Sequence, residues 1–349
     1  MFKTRMTELF GIKHPIMLAG MNWITTPPLV SAVCNAGGLG ILATAHCGPE
    51  EVRKLVKEVR ELTDKPFGIN QILIGPNAKD NIEAAIQEKV PVINYSLGKP
   101  WFIDQVHAYG GKVVGTIAIA KHGAKAQQLG CDALVVTGHE AAAHGDVATS
   151  LVLIPVVASQ VKIPLIAAGG FYDGRGLAAA LALGAEGISM GTRFTVTKES
   201  MVHDAYKQLV IGASEQDTLY STAFDGMPGR VLKTKAASRM MKGGFPMIEA
   251  FKGAKEVKDY MGLSYGKFIA MSFQMLGQEE GHPLWVLARQ AAGTRRHLMA
   301  IEKGDVDEGI LFAGQNVGGI KDIPGVQEVI DRTIAEAEAV LDKIQKERA

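Results

Sequence analysis

Eight short apolar runs, each followed by a longer segment with helical periodicity, occupy the first 200 residues of this chain. The runs begin at Pro15, Gly38, Pro66, Pro91, Lys112, Ala133, Pro164 and Gly187. Apolar runs of this length, bounded by Gly or Pro, are typical of buried parallel strands covered by helices. A strand and a helix repeated about every 25 residues, eight times over, predict a closed α/β barrel of the (βα)8 TIM type.

The stretch after the first run argues against an open doubly wound sheet. A dinucleotide-binding sheet needs G-x-G-x-x-G at this point, and the chain has LAGMNW from Leu18. We assign residues 1–200 and 300–349 to the barrel. Residues 201–299 are richer in helix formers and are predicted to form a mostly helical insertion or lid after strand eight. An amphipathic segment near the C-terminus is predicted to be a helix that closes the barrel.

Charge and cysteine content narrow the class of ligand. The 37 Lys and Arg residues nearly equal the 36 Asp and Glu residues, so no overall field attracts nucleic acid or a membrane surface. The three cysteines form no C-x-x-C pair, which suits a reducing compartment. There is neither a signal-peptide pattern nor an apolar run of about 18 residues. We therefore expect a cytoplasmic protein with a small-molecule substrate.

Glycines follow predicted strands seven and eight, where TIM barrels commonly bind phosphate. Gly169 and Gly170 end strand seven, and Gly191 and Thr192 end strand eight. Without a Cβ, such turns bring backbone N–H groups close to an anion. Two such turns on adjacent strands predict a phosphate cradle. Arg193 would either add positive charge there or form an ion pair at the rim.

The segment GHEAAAHGD, from Gly138 to Asp146, follows predicted strand six. Its histidines are five residues apart, so on a helix they would point about 140° apart and could not easily share one metal ion. We expect no metal site. His144 would instead lie over the barrel mouth, where it can donate to an oxyanion or act as a general acid or base. Glu140 and Asp146 are predicted to orient the loop.

The chain resembles the flavin-dependent nitronate monooxygenase family, once called 2-nitropropane dioxygenases. This group also holds NADH:quinone reductases and flavin-type enoyl-acyl-carrier-protein reductases. The resemblance runs nearly end to end. It includes HPIMLAGMNW, SAVCNAGGLGIL, LTDKPFGIN, GHEAAAHGD, AGQNVGG and, most specifically, IPLIAAGGFYDGRGLAAALALGAEGISMGTRF.

The resemblance implies a flavoprotein oxidoreductase with FMN bound over the barrel mouth and His144 as the active-site histidine. The residues that it assigns to the cofactor are Ala19, Gly20, Met21, Asn70, Gly138, Gly169, Gly170, Gly191, Thr192, Gln315 and Gly318. The chain departs from the family pattern in three places. Ala142-Ala143 replaces Gly-Gly, His139 precedes the glutamate, and Thr116 stands where relatives carry Lys or Gln.

Two reactions follow from the resemblance, and the sequence does not decide between them. In the first, preferred interpretation, a nitronate monooxygenase oxidises alkyl nitronates with O2. In the second, NAD(P)H is a co-substrate and the flavin reduces a quinone or an enoyl thioester. An acyl carrier protein is a partner only in the second, for which Lys233, Lys235, Arg239 and Lys242 form a candidate basic patch.

Two other classes remain open. One is a cofactor-free phosphate-binding isomerase or synthase on the same barrel. The other is an enzyme like inosine-monophosphate dehydrogenase, which needs a nucleophilic cysteine at the mouth. Cys34 and Cys131 fall inside predicted elements, and Cys47 is only marginally placed for such a role.

Overall fold

The computed structural model describes residues 2–142, 144–242 and 284–348, together with Lys255, Lys258, Ser264 and Gly266. Eight parallel strands form one sheet in the order β1-β8-β7-β6-β5-β4-β3-β2. A parallel bridge between Met17 and Leu39 joins its two edges and closes the barrel. The strands are β1 Ile16–Leu18, β2 Gly40–Ala43, β3 Phe67–Ile72, β4 Val92–Ser96, β5 Lys112–Ile117, β6 Ala133–Thr137, β7 Leu165–Ala168 and β8 Gly187–Met190.

All eight strands lie within the eight apolar runs, so the predicted TIM barrel is confirmed. The helices between them are α1 Arg5–Phe10, α2 Pro27–Asn35, α3 Pro49–Leu62, α4 Ala78–Gln87, α5 Ile103–Ala108, α6 Ala120–Gln128, α7 Ser150–Ala158, α8 Gly174–Ala182 and α9 Thr192–Thr195. The later elements are α10 Asp204–Gly212, β9 Thr218–Ser221, β10 Gly229–Leu232, α11 Lys235–Lys242, α12 Leu284–Lys303, a 3-10 helix Gln315–Gly319 and α13 Val326–Arg348.

Two apolar clusters hold the barrel together. One lies between the strands and the surrounding helices, and α13 completes it by packing on α8. The other fills the barrel interior with alternate strand residues such as Met17, Ile41, Val92 and Val114. Met6 and Phe10 of α1 belong to this inner cluster. Helix α1 therefore closes the bottom of the barrel and leaves the opposite end, where the strands terminate, for a ligand.

The segment after the barrel strands contains an element that the sequence did not predict. Strands β9 and β10 pair antiparallel, from Gly229 opposite Ser221 to Leu232 opposite Thr218. Val231 also bridges to Phe312, which ties this hairpin to the chain that returns to the barrel. The hairpin lies between α10 and α11, so the described part of the insertion is not wholly helical. The division into barrel and lid stays a prediction, and Ala143 and most of 243–283 lie outside the described residues.

Among the described helices, none is both long and apolar enough to cross a membrane.

Candidate active site

One layer of side chains lines the mouth of the barrel. Side chains alternate along a strand. The residue two positions after an inner-cluster residue therefore also points into the barrel, one layer nearer its mouth. On β3 to β6 these residues are polar: Asn70, Asn94, Thr116 and Thr137. On β1, β2, β7 and β8 the corresponding positions hold Ala19, Ala43, Ala168 and Gly191. The mouth is therefore polar on one side and open on the other.

The polar half of this layer is internally bonded. The Asn94 side-chain amide donates to Thr116 Oγ1 at 2.9 Å and to the Val114 carbonyl at 3.0 Å. Asn70 lies opposite Asn94 in the sheet and is buried. Its side chain fills the space over Gly20, where a Cβ would lie 2.4 Å from the Asn70 Cβ. Thr116, which departs from the family pattern, is thus the acceptor for a buried amide.

The open half contains the predicted glycine turns. Gly169 and Gly170 both have left-handed backbone, with φ of 97° and 84°. A Cβ on Gly169 would lie 2.8 Å from the Gly138 carbonyl oxygen, so the chains after β6 and β7 touch here. Gly191 precedes α9, whose first N–H groups have no acceptor within the helix. A Cβ on Gly170 would lie 3.4 Å from the Glu140 Cβ, and one on Gly191 would lie 3.3 Å from the Met21 sulfur, so all three glycines stand where segments of the mouth pack closely.

The C-terminal segment reaches the same place. Gly314 N–H donates to Thr192 Oγ1 at 3.0 Å, which leaves the Thr192 hydroxyl proton for a ligand oxygen. Gln315 N–H donates to the Glu140 carbonyl at 2.9 Å, so this residue lies beside the β6 loop. Gly318 is different, because a Cβ there would meet Glu215 N at 2.6 Å. Its Cα faces the turn after α10, and this close approach to Glu215 leaves no room for a side chain at position 318.

These residues fit FMN on physical grounds. The glycine turns provide backbone donors for a phosphate, and small residues beside them leave space for a flat ring. Asn70 and Thr116 provide polar side-chain atoms at the same mouth, which a flavin ring could use as hydrogen-bond partners. Met21, whose sulfur accepts the Thr195 hydroxyl at 3.4 Å, lies beside Gly191 and adds an apolar surface. The cofactor roles of the individual residues stay predictions.

His144 lies on the loop after β6, and its side chain is 26% exposed. Its Nδ1 is 3.2 Å from the Pro228 carbonyl oxygen, and its Nε2 is 3.3 Å from Asp225 Oδ2. Its ring also rests edge-on against Phe312, with ring centroids 6.2 Å apart. Asp225 and Pro228 both belong to the turn between β9 and β10. The hairpin therefore holds the predicted active-site histidine by both ring nitrogens.

The hairpin is hydrogen-bonded to the β6 loop at two further points. The Tyr220 hydroxyl donates to the Gly145 carbonyl at 2.7 Å. The Arg230 guanidinium donates to the His139 carbonyl at 3.1 Å and lies over the Tyr220 ring. Burial lowers the pKa of Arg230. Loop and hairpin thus form one bonded unit, called here the loop–hairpin clasp (residues 138–149 and 218–232).

The remaining residues of the β6 loop act as braces. The Glu140 carboxylate accepts the Ser150 N–H at 2.9 Å and the Ser150 hydroxyl at 3.0 Å. Asp146 Oδ1 accepts the Val147 N–H at 2.7 Å. His139 Nδ1 lies 2.8 Å from the Asp146 carbonyl oxygen, so its ring donates there. These contacts agree with the orienting role predicted for both acids.

Two other side chains have structural partners. Arg193 is buried and pairs with Asp322 at 2.9 Å, while its second nitrogen donates to the Val196 carbonyl at 2.7 Å. The ion pair at the rim is therefore the alternative that the structure supports for Arg193. Within the described ranges, no group of three or more His, Cys, Asp or Glu side chains could hold a metal ion.

The structure adds two residues to the site that the sequence did not indicate. Asn94 could have been found from strand periodicity, because it shares the inner face of β4 with Val92. Asp225 had no local signal, because it is 81 residues from His144 and lies in a hairpin that was not predicted. Asp225 is buried, and burial raises the pKa of its carboxyl although the His144 charge opposes the shift.

Comparison with known proteins places this site in a family. The family model described as nitronate monooxygenase matches residues 3–336. The (3aS,4S,5R,7aS)-5-hydroxy-7a-methyl-1-oxo-octahydro-1H-indene-4-carboxyl-CoA dehydrogenase of Rhodococcus jostii is 39% identical, with 99% of each chain covered. A probable nitronate monooxygenase of Staphylococcus saprophyticus is 30% identical over 68% of this chain and 80% of its own.

A solved structure extends the similarity to three dimensions. FabK from Thermotoga maritima superposes with a TM-score of 0.81 at 34% identity, over 99% of both chains. The family match covers the barrel strands, the glycine turns, the β6 loop and the hairpin. The chain is an oxidoreductase that belongs to the nitronate monooxygenase family.

Proposed function

We propose that this protein is an FMN-dependent oxidoreductase of acyl-CoA thioesters. The observation that carries the proposal is the contact of His144 with Asp225 over the barrel mouth. It is supported by the similarity to a CoA-thioester dehydrogenase, which spans 99% of the chain and so extends through the hairpin. This reverses the preference drawn from the sequence, which ranked nitronates first.

The charge around His144 favours a neutral carbonyl over an anionic substrate. A nitronate carries a permanent negative charge, and it would approach a histidine whose Nε2 lies 3.3 Å from a carboxyl oxygen. Asp225 neutralises any positive charge on His144, so the pair offers no net positive charge that could hold this anion. A thioester carbonyl is neutral when it binds and becomes negative only as the reaction proceeds. The pair can then supply a proton as the charge develops.

The residues present would divide the work between binding and proton chemistry. When bound, FMN supplies a two-electron acceptor or donor. The turns at Gly169, Gly170 and Gly191 would hold its phosphate, and Asn70 and Thr116 would contact its ring. His144 would donate its Nε2 proton to the thioester carbonyl oxygen as negative charge develops there. The clasp orients this imidazole and limits access of water to it.

The basic patch predicted for an acyl carrier protein is partly neutralised. Lys235 pairs with Asp307 at 2.8 Å, and Arg239 pairs with Glu308. The patch therefore presents less net charge to an acidic carrier than its sequence suggested. We therefore do not propose a carrier protein as partner.

Nitronate oxidation is the second candidate, because the matched family and a 30% identical relative carry that name. Anaerobic mixing of the flavin-loaded protein with three probes, followed at the flavin absorbance band, separates the reactions. The probes are a saturated acyl-CoA, NAD(P)H followed by an enoyl-CoA, and an alkyl nitronate.

Bleaching by acyl-CoA, or by NAD(P)H with recovery of colour on adding enoyl-CoA, is the expected result. His144→Gln should slow it by about a hundredfold or more without loss of flavin. Bleaching by the nitronate alone would replace the thioester proposal with nitronate oxidation. A protein that stays colourless after incubation with FMN would overturn the flavoenzyme proposal and reopen the cofactor-free isomerase.

A further inference from the structure

The contacts of His144 determine how many protons the pair contains. A backbone carbonyl can only accept, so the 3.2 Å contact with the Pro228 oxygen requires a proton on His144 Nδ1. A neutral imidazole then has a bare lone pair on Nε2. A bare nitrogen and an ionised carboxylate would repel each other at 3.3 Å, so that contact must contain one proton. The proton lies on either Nε2 or Asp225.

The surroundings of Asp225 favour keeping that proton in the contact. Asp225 is buried, and α12 covers it, because a Cβ on Gly293 would lie 3.1 Å from the Asp225 Cβ. Asp225 Oδ1 accepts the Met227 N–H at 3.1 Å, which fixes the carboxyl and turns Oδ2 toward the imidazole. Burial penalises the ionised carboxylate unless the imidazolium compensates it. The pair is therefore stable as a unit with no net charge.

The neighbouring titratable groups have partners of their own. Four of these groups contact backbone carbonyls: Arg289 at Thr222, His297 at Ile310, Arg230 at His139 and Tyr220 at Gly145. The two acids bind nearby residues, Glu140 to Ser150 and Asp146 to Val147. Among the described ionisable side chains, His144 is the one in direct contact with the Asp225 carboxyl, at 3.3 Å.

We propose that Asp225 is the positioning residue and proton partner of His144. The Pro228 carbonyl keeps a proton on Nδ1, and the Asp225 carboxyl keeps one proton in its contact with Nε2. As a substrate oxygen approaches, Nε2 takes that proton from Asp225 while the two groups are still in contact. The Nε2–H group then donates to the substrate oxygen, and the carboxylate left behind stabilises the imidazolium. The proton given to the substrate is later replaced from solvent, so no further reactant is needed. The inference rests on the proposed role of His144 in thioester chemistry.

The test uses Asp225→Asn in the flavin-loaded full-length protein. Asparagine keeps the acceptor oxygen for Met227 N–H, but it can neither ionise nor pass on a proton. We expect the single-turnover rate to fall about 10-fold to 100-fold with flavin content unchanged. The pH profile of the rate should also move, because asparagine removes the ionisable partner from the pair. A rate within twofold and an unmoved pH profile would refute the proposal.

Asp217→Asn is the matched control. It makes the same substitution next to the hairpin, on a carboxylate that bonds Ser214 and does not reach His144. It should leave both the rate and its pH profile as in the unmodified protein. If Asp217→Asn changed the rate and the pH profile as much as Asp225→Asn, the effect would come from the loss of one negative charge near the hairpin. Asp225 would then not be the proton partner of His144.

A measurement without turnover separates this inference from the proposed function. Ring 15N shifts of His144, assigned with His144→Gln, should show the proton on Nδ1 in the unmodified protein. Asp225→Ala should leave the proton on Nδ1, where the Pro228 carbonyl still accepts it, and should change the Nε2 shift to that of a ring nitrogen without its proton partner. This result would support the pairing even if no thioester reacts. A His144 with a bare Nδ1 in the unmodified protein would contradict it whatever the substrate.

Discussion

The two sides of the barrel mouth are built differently. At the ends of β7 and β8 the chain turns through residues without side chains, Gly169, Gly170 and Gly191, which pack closely on neighbouring segments and form the proposed phosphate cradle. On the side of the β6 loop, function depends on side chains that meet across the fold, above all His144 and Asp225. The first side uses neighbouring segments of the barrel, whereas the second joins a barrel loop to a later hairpin.

This difference separates cofactor binding from substrate chemistry. A phosphate cradle can be formed by any sequence that turns tightly after its strands, and the barrel supplies it directly. The proton chemistry depends on the hairpin, which reaches the mouth from outside the barrel. Family members that share the barrel can therefore differ in reaction through this hairpin. Variants on the two sides should accordingly fail in different ways.

The largest effect is expected for Gly169→Ala. Alanine is strained at φ 97°, and its Cβ would lie 2.8 Å from the Gly138 carbonyl oxygen. The turn must shift, so FMN affinity should fall by about a hundredfold or more, together with about 1–3 kcal/mol of stability. Fluorescence titration of the apoprotein with FMN measures the affinity, and urea unfolding measures the stability.

Gly212→Ala is the control for this prediction. Gly212 ends α10, and a Cβ added there would have no other heavy atom within 4 Å, so alanine fits. FMN affinity should not change, and stability should stay equal or rise slightly. If Gly169→Ala bound FMN as tightly as Gly212→Ala, the phosphate would not lie on the β7 turn.

The docking of α12 should make stability depend on pH. His297 is fully buried on this helix, and burial lowers its pKa from 6.5 to about 4. Below pH 6.5 the unfolded chain takes up a proton that the folded chain does not. The free energy of unfolding is therefore not reduced by this histidine above pH 6.5, and it falls as the pH drops from 6.5 toward 4. Between pH 7 and pH 5 the expected loss is about 2 kcal/mol.

His297→Phe removes this titration and should flatten the stability profile by about that amount. Urea unfolding at a series of pH values measures it. His122→Gln, at an exposed histidine, is the matched control and should retain the original slope. A profile unchanged by His297→Phe would mean that α12 does not bury this side chain against the barrel.

A smaller effect is expected at the clasp. Tyr220→Phe removes the 2.7 Å hydrogen bond to the Gly145 carbonyl and leaves Asp225 in place. One such bond contributes about 1 kcal/mol, so kcat/KM should fall about threefold to tenfold through a less ordered His144 loop. The pH profile should not move, which distinguishes this variant from Asp225→Asn. A moved profile would show that Tyr220 takes part in the proton chemistry.

The sequence predicted the barrel well because its signals are local. Each barrel β-strand follows from one apolar run, and α3 lies in the segment of helical periodicity between the second and third runs. The glycine turns were also predictable, since strand ends in a barrel all point to one mouth. The positive φ values of Gly169 and Gly170 then explain why glycine stands there.

The hairpin escaped prediction because its strands are four residues long and seven residues separate them. Pairing of Thr218 with Leu232 depends on packing against Phe312, which no local pattern reveals. Asp225 could not be predicted from the His144 segment either, because the two residues are far apart in the sequence. At Gly318 the structure shows a packing constraint, the close approach to Glu215, and the flavin role that the family motif implies stays a prediction.

The most direct test compares FMN dissociation constants for one variant from each side of the mouth. Gly191→Ala puts a methyl group into the cradle at an ordinary φ of −103°, with the flexible Met21 sulfur 3.3 Å away, so the fold can tolerate it. We predict at least tenfold weaker FMN binding for Gly191→Ala and a change within twofold for Asp225→Asn. Equal losses, or tight binding by Gly191→Ala and weak binding by Asp225→Asn, would contradict the separation of cofactor binding from proton chemistry.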